Sequence, residues 1–195
     1  MDSRLRANDG VGDFTRFSFN NTWKKFLPNI ESGYVPWLQD HGSLTQRIQL
    51  RCQQFEVRNV HSGLVRIALD ESVLLGLASH QLAYSREVFL YADNQPVVFA
   101  HSACAPTSLQ GAWAAVTGLG NKPLGAMLFA HPLVQRKPLH YKILRKNHPL
   151  FQRASVLLSH PPQQLWARRS LFYLHNEPLL VTEVFLPNIL KLRGR

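Results

Sequence analysis

Cysteine is scarce: Cys52 and Cys104 are the only two in 195 residues. They form no CxxC pair and are too few for a disulfide framework, which excludes a small disulfide-stapled secreted fold. Both lie among apolar, strand-like residues and are expected to be reduced, buried thiols of a cytoplasmic protein. No apolar run reaches the roughly 18 residues that a membrane-spanning helix needs. The N-terminal stretch "MDSRLRANDGVGDFTRFSFNN" lacks an apolar core and is not read as a secretory signal. Acidic residues are also few, with 12 Asp and Glu against 22 Lys and Arg, so the formal net charge is +10. Such a balance suits an anionic partner.

Standard catalytic and binding motifs are missing as well. "GLGNKPLGAM" places Gly120 and Gly125 at phosphate-loop spacing, but Ala126-Met127 follows where Lys-Ser/Thr is required. There is no GxGxxG, no GxSxG and no HExxH, and the 9 His are scattered without helical metal spacing. Aromatic residues sit at core spacing and do not interleave with basic ones, so nucleic-acid binding is not expected. The densest basic stretch, "QRKPLHYKILRKNH" at 135–148, reads as a solvated face.

What is present is a globular composition, 45% hydrophobic, in a chain of single-domain length. Residues 1–22 are expected to be a flexible tail and 23–195 one domain. "VPWLQDHGSLTQRIQLRC" suggests two short helices broken at Gly42, with Ser43 and Gln46 in capping-box register. "PTSLQGAWAAVTGLG" reads as a helix capped by Ser108. "REVFLYADNQPVVFAHSACAP" and "RRSLFYLHNEPLLVTEVFLP" share one plan: an arginine, a strand, an "xN[QE]P" turn and a second strand.

Glu183 lies within the last of these strands, among Val181, Val184, Phe185 and Leu186. A carboxylate there needs a partner. With two-residue loops at Asp93-Asn94 and His175-Asn176, Arg168 faces Glu183 and Arg86 faces His101. A three-residue loop brings Arg169 opposite Glu183 instead. The structural alternative is a simple ion pair with Arg86 at a solvated strand end.

Three stretches in this order, "REVFLYADNQP", "NKPLGAMLF" and "LWARRSLFYLHNEPLLVTEVFLP", resemble the chorismate lyase (chorismate pyruvate-lyase) family. The likeness extends weakly through "WLQDHGSLTQRIQ" and covers about residues 23–190. The resemblance implies an α+β fold: a six-stranded antiparallel sheet with helices packed on one side, and a ligand enclosed under two flaps without metal or organic cofactor. It implies conversion of chorismate to 4-hydroxybenzoate and pyruvate on the way to ubiquinone, by a cytoplasmic monomer subject to product inhibition. Arg86 matches the family arginine that binds the ring carboxylate, and Glu183 the glutamate near the phenolic end. Leu124 matches a flap leucine. Leu44 stands where the family often has Met. The family pattern also carries an arginine after the first hairpin turn, where this chain has His101 or Ser102. His101, Arg168 or Lys122 is expected to supply that charge. The competing expectation is a non-enzymatic binding module for an aromatic acid, like the effector domains of certain transcription regulators. Such a domain would adjoin a helix-turn-helix segment, and some 22 residues before the matching region disfavour it.

Overall fold

The computed structural model describes residues 22–27 and 32–192. The tail expected over residues 1–22 therefore lies, except for Thr22, outside the described residues.

Two short helices come first, α1 (Val35–Leu38) and α2 (Leu44–Gln49). As the capping pattern implies, the Ser43 hydroxyl accepts the N–H of Gln46 at 3.3 Å. The long strand β1 (Phe55–Val65) and helix α3 (Leu69–Leu74) lead into the hairpin β2 (Ala83–Ala92) and β3 (Gln95–Cys104). The helix expected around Ser108 is instead two 3₁₀ turns, Pro106–Gln110 and Ala114–Val116. Ser108 caps neither turn, and its hydroxyl donates to Glu177 at 2.5 Å. Helix α4 (Leu124–Ala130), strands β4 (Gln135–Arg136) and β5 (His140–Arg145) and helix α5 (Pro149–Ser155) follow. The chain closes with the hairpin β6 (Gln164–Leu174) and β7 (Glu177–Phe185) and a final 3₁₀ turn.

All pairings are antiparallel, in the order β1-β2-β3-β7-β6-β4, with β5 also on β6. The sheet has seven strands among the described residues, not the expected six. The additional strand is β4, two residues that pair with Tyr173 and Phe172 beside β5.

Helices also cover both faces rather than one. Alternation along β2 sends Arg86, Val88 and Leu90 to one face and Glu87, Phe89 and Tyr91 to the other. Val88, Leu90 and Val98 pack with Trp37, Leu38, Leu44 and Ile48 of α1 and α2. Phe89, Phe99 and Val184 pack with Leu150, Phe151 and Ala154 of α5. Central strands apolar on both sides must be covered on both sides. We call the α1–α2–α4 side the front and the α3–α5 side the back.

Both hairpin turns have two residues, with positive φ at Asp93, Asn94, His175 and Asn176. That is the primed turn geometry whose twist matches paired strands. The second hairpin has the two-residue register, and Arg168 pairs with Glu183 rather than Arg169. The first is displaced by one beyond a bulge at Leu90/Tyr91, so Arg86 pairs with Ser102 and His101 with Glu87. One residue of slip moves a side chain to the other face. Arg86 and His101 are consequently on opposite sides of the sheet.

Candidate active site

Strand register lays out the front face as rows. Val88, Ala100, Glu183, Arg168 and Tyr141 follow one another across β2, β3, β7, β6 and β5. One step along the strands, the row is Arg86, Ser102, Val181 and Ser170. The central residues are small, so the sheet surface is low there. With strands about 5 Å apart and about 3.4 Å per residue, Arg86 and Glu183 have Cα atoms roughly 12 Å apart across this floor.

A cavity of about 650 Å³, counting its open mouth, lies above the floor. Arg86, Val88, Leu90, Ala100, Ser102, Val181 and Glu183 line it from the sheet. Gly42, Leu44 and Thr45 cover it from the start of α2. Pro123, Leu124, Gly125, Leu128 and Phe129 cover it from α4, and Arg136 and Phe172 close one end. The four residues singled out most strongly by sequence, Leu44, Arg86, Leu124 and Glu183, thus share one cavity wall.

Each charged group is anchored differently. Arg86 is 3% exposed. Its Nη2 donates to the carbonyls of Gly120 and Lys122 at 2.9 and 2.8 Å, whereas its Nε is buried without a partner. It makes no ion pair among the described residues. Burial pulls its pKa below the ordinary arginine value. An anion in the cavity would supply the missing acceptor and offset that cost.

Glu183 accepts from Arg168 Nε through Oε2 at 2.5 Å. Its Oε1 has no hydrogen bond among the described residues, and its side chain is 16% exposed. Arg168 is 0% exposed. Its Nη1 also donates to the carbonyls of Trp37, Leu38 and Asp40 at 2.8, 3.3 and 2.6 Å. Arg168 is therefore a buried tie between the carboxylate and the C-terminal end of α1 and is absent from the cavity wall. One oxygen of Glu183 is fixed, and the other is available to a ligand.

His101 does not reach the cavity. It is buried on the back, with Nδ1 3.0 Å from Glu87 Oε1 and Nε2 3.4 Å from Glu71 Oε1. Burial works against its proton, but hydrogen bonds and charge from Glu71 and Glu87 outweigh this and raise its pKa to about 9. Lys122 is exposed and contributes its backbone carbonyl to Arg86. Neither supplies a second cation at the site.

Arg136 does, and sequence reading missed it within the stretch taken as a solvated basic face. Arg136 is half-buried, and Lys142 from the same stretch is buried on the back. Among the described residues, no cluster of His, Cys, Asp or Glu is arranged to hold a metal, and no helix is long and apolar enough to cross a membrane.

Comparison with known proteins bears on the family and the fold. The chorismate lyase family model matches residues 20–194. A probable chorismate pyruvate-lyase of Nitrosospira multiformis is 53% identical over 87% of this chain and 95% of its own. One from Nitrosomonas europaea is 49% identical over 80% of this chain and 88% of its own. Among solved structures, the effector domain of PhnF from Mycobacterium smegmatis superposes with a TM-score of 0.53 at 11% identity, covering 75% of this chain and 90% of that one. At that identity the likeness concerns the fold alone.

Proposed function

The chain belongs to the chorismate lyase family, and from that premise we propose that the front cavity is where it splits chorismate into 4-hydroxybenzoate and pyruvate. The enzyme is a carbon–oxygen lyase. The observation that carries the placement is the convergence on one greasy cavity of an ion-pair-free Arg86 and a half-engaged Glu183.

The chemistry asks little of the protein beyond binding, orientation and a proton. A ring proton leaves, the bond from ring carbon to the enolpyruvyl oxygen breaks with its electron pair on that oxygen, and the ring becomes aromatic. The departing enolpyruvate takes a proton on carbon to become pyruvate. Arg86 holds the ring carboxylate through its charge and the N–H groups that Gly120 and Lys122 leave unengaged. Glu183 meets the opposite end of the ring with Oε1 and is the proton-exchanging group, while Arg168 fixes its orientation. Leu44 and Leu124 act as flap residues that exclude water and strengthen both polar contacts. The same enclosure retains the aromatic product, so release is slow and product inhibits. In this reading the protein works as a cytoplasmic monomer supplying ubiquinone synthesis, its partners being chorismate and 4-hydroxybenzoate.

The test is direct. Purified protein with chorismate and no added metal should form 4-hydroxybenzoate and pyruvate in equal amounts. Glu183→Gln keeps the shape and should lower kcat about 100-fold or more, and near-full turnover would remove Glu183 from the proton step. Arg86→Ala should weaken both chorismate and 4-hydroxybenzoate by about 10- to 100-fold. Unchanged affinity for both would retire its role.

A further inference from the structure

Most of the arginines that enter the sheet region are already paired. Arg168 holds Glu183, Arg169 holds Asp70, Arg153 holds Glu87 and Arg47 holds Asp40. In the front cavity two arginines lack a carboxylate partner among the described residues: Arg86 and Arg136.

Arg136 feels the charges of Glu183 and Asp40 without an ion pair to either. Its Nη1 donates to the carbonyl of His41 at 2.8 Å. Its guanidinium lies over the rings of Phe129 and Phe172, 5.6 and 5.3 Å from their centroids. Its Nε is buried and has no partner. The charge is thus fixed in place by one carbonyl and two aromatic faces, with a donor left over.

Its position relative to the other groups is informative. Arg86 is on β2, Glu183 on β7 and Arg136 on β4, in a sheet ordered β2-β3-β7-β6-β4. In strand order Glu183 falls between the two cations, while along the strands both lie to one side of it, two residues away for Arg86 and four for Arg136. A ligand with a carboxylate for each arginine would span the cavity with Glu183 beside it. Chorismate has two carboxylates, whereas 4-hydroxybenzoate keeps only the ring carboxylate. Resting on the lyase reading of this cavity, we propose that Arg136 receives the enolpyruvyl carboxylate, the one that leaves with pyruvate. Arg136 is then the residue that separates substrate from product: it strengthens the binding of chorismate and contributes nothing to that of 4-hydroxybenzoate.

The experiment compares Arg136→Gln and Arg136→Lys with the parent protein, reading steady-state kinetics on chorismate and calorimetric affinity for 4-hydroxybenzoate. Arg136→Gln should lose about 10- to 100-fold in kcat/KM for chorismate while binding 4-hydroxybenzoate within about twofold of the parent. Arg136→Lys, which keeps the charge but not the fork, should recover part of the loss. Retained 4-hydroxybenzoate binding also reports that the fold is intact. A loss of both ligands in proportion, or unchanged kcat/KM, overturns the proposal. A second measurement needs no variant. On the parent, 3-(carboxymethoxy)-4-hydroxybenzoate should bind at least about tenfold more tightly than its neutral 3-(carbamoylmethoxy) counterpart, and equal affinity overturns the proposal. The lyase reading fails separately: a parent without chorismate turnover sinks both ideas, whereas a parent with turnover and an indifferent Arg136→Gln sinks this one alone.

Discussion

Two buried ion pairs in this molecule have opposite purposes. Arg168–Glu183 leaves one carboxylate oxygen free toward a cavity, and breaking it would strand a charge and three carbonyls. His101 lies on the back of the sheet between two carboxylates. Glu71 from α3 and Glu87 from β2 flank its ring, Ser85 lies 3.3 Å from Nδ1, and Arg153 from α5 engages Glu87 at 3.1 Å. His61 adds a weaker charge near Glu87. This is a structural pin between α3 and the sheet, and it makes stability depend on pH. The folded pKa of His101, about 9, exceeds its ordinary 6.5. Its contribution is therefore complete below about pH 6.5 and is lost as pH rises through about 9, on the order of 3 kcal/mol. Glu71 and Glu87 are shifted downward, so their contribution is lost on the acid side, as pH falls below the ordinary carboxylate range. Thermal melting of the parent should show Tm falling between pH 7 and 9.5. His101→Gln should melt lower at pH 6 and lose most of that slope, and parallel profiles for the two proteins would remove His101 as the cause.

At the scale of elements, the cavity is covered by α2 and α4, and these touch. A Cβ added at Gly125 would come 3.1 Å from Thr45 Oγ1 and 3.5 Å from Ser43 Oγ. Alanine there improves α4 by up to about 1 kcal/mol of helix propensity but forces the two covers slightly apart. Valine forces more. Gly125→Val should therefore release 4-hydroxybenzoate about tenfold faster, with little change in Tm, since the core beneath is untouched. Stopped-flow release at the parent's rate would show that this contact does not keep the cavity closed. Helix α2 and the second hairpin were legible because local chemistry specifies them: Ser43 caps α2, and the two-residue turn at His175-Asn176 fixes the hairpin loop. The first hairpin's register was not, because a bulge depends on how the strands meet and put His101 on the back. Helix α5 was not read from the sequence, although Pro149 stands in its first turn, because a seven-residue helix has too few turns to show a period. Arg136 had no local signal at all. It lies in a two-residue strand whose significance comes only from Phe172 opposite it and Phe129 on α4.

At the scale of the whole molecule, the ligand cavity is a small part of a field set by a net charge of +10. The two cavity cations without carboxylate partners among the described residues, Arg86 and Arg136, are local sinks in that field. A dianion approaching from solvent is drawn first by the general charge and then by the cavity pair, so encounter is faster than for a neutral molecule of the same size. Screening acts on these stages unequally. The Debye length is about 30 Å at 0.01 M salt and about 8 Å at 0.15 M, so added salt removes the long-range pull but leaves contacts inside the cavity largely intact. Association of chorismate should slow several-fold over that range, whereas turnover of bound substrate should be nearly constant. The product carries one charge fewer, so its association should slow by less. Single-turnover kinetics at several salt concentrations separates the two. An association rate independent of salt would mean that the basic surface does not steer the substrate, and that the excess of lysine and arginine outside the cavity has some other purpose.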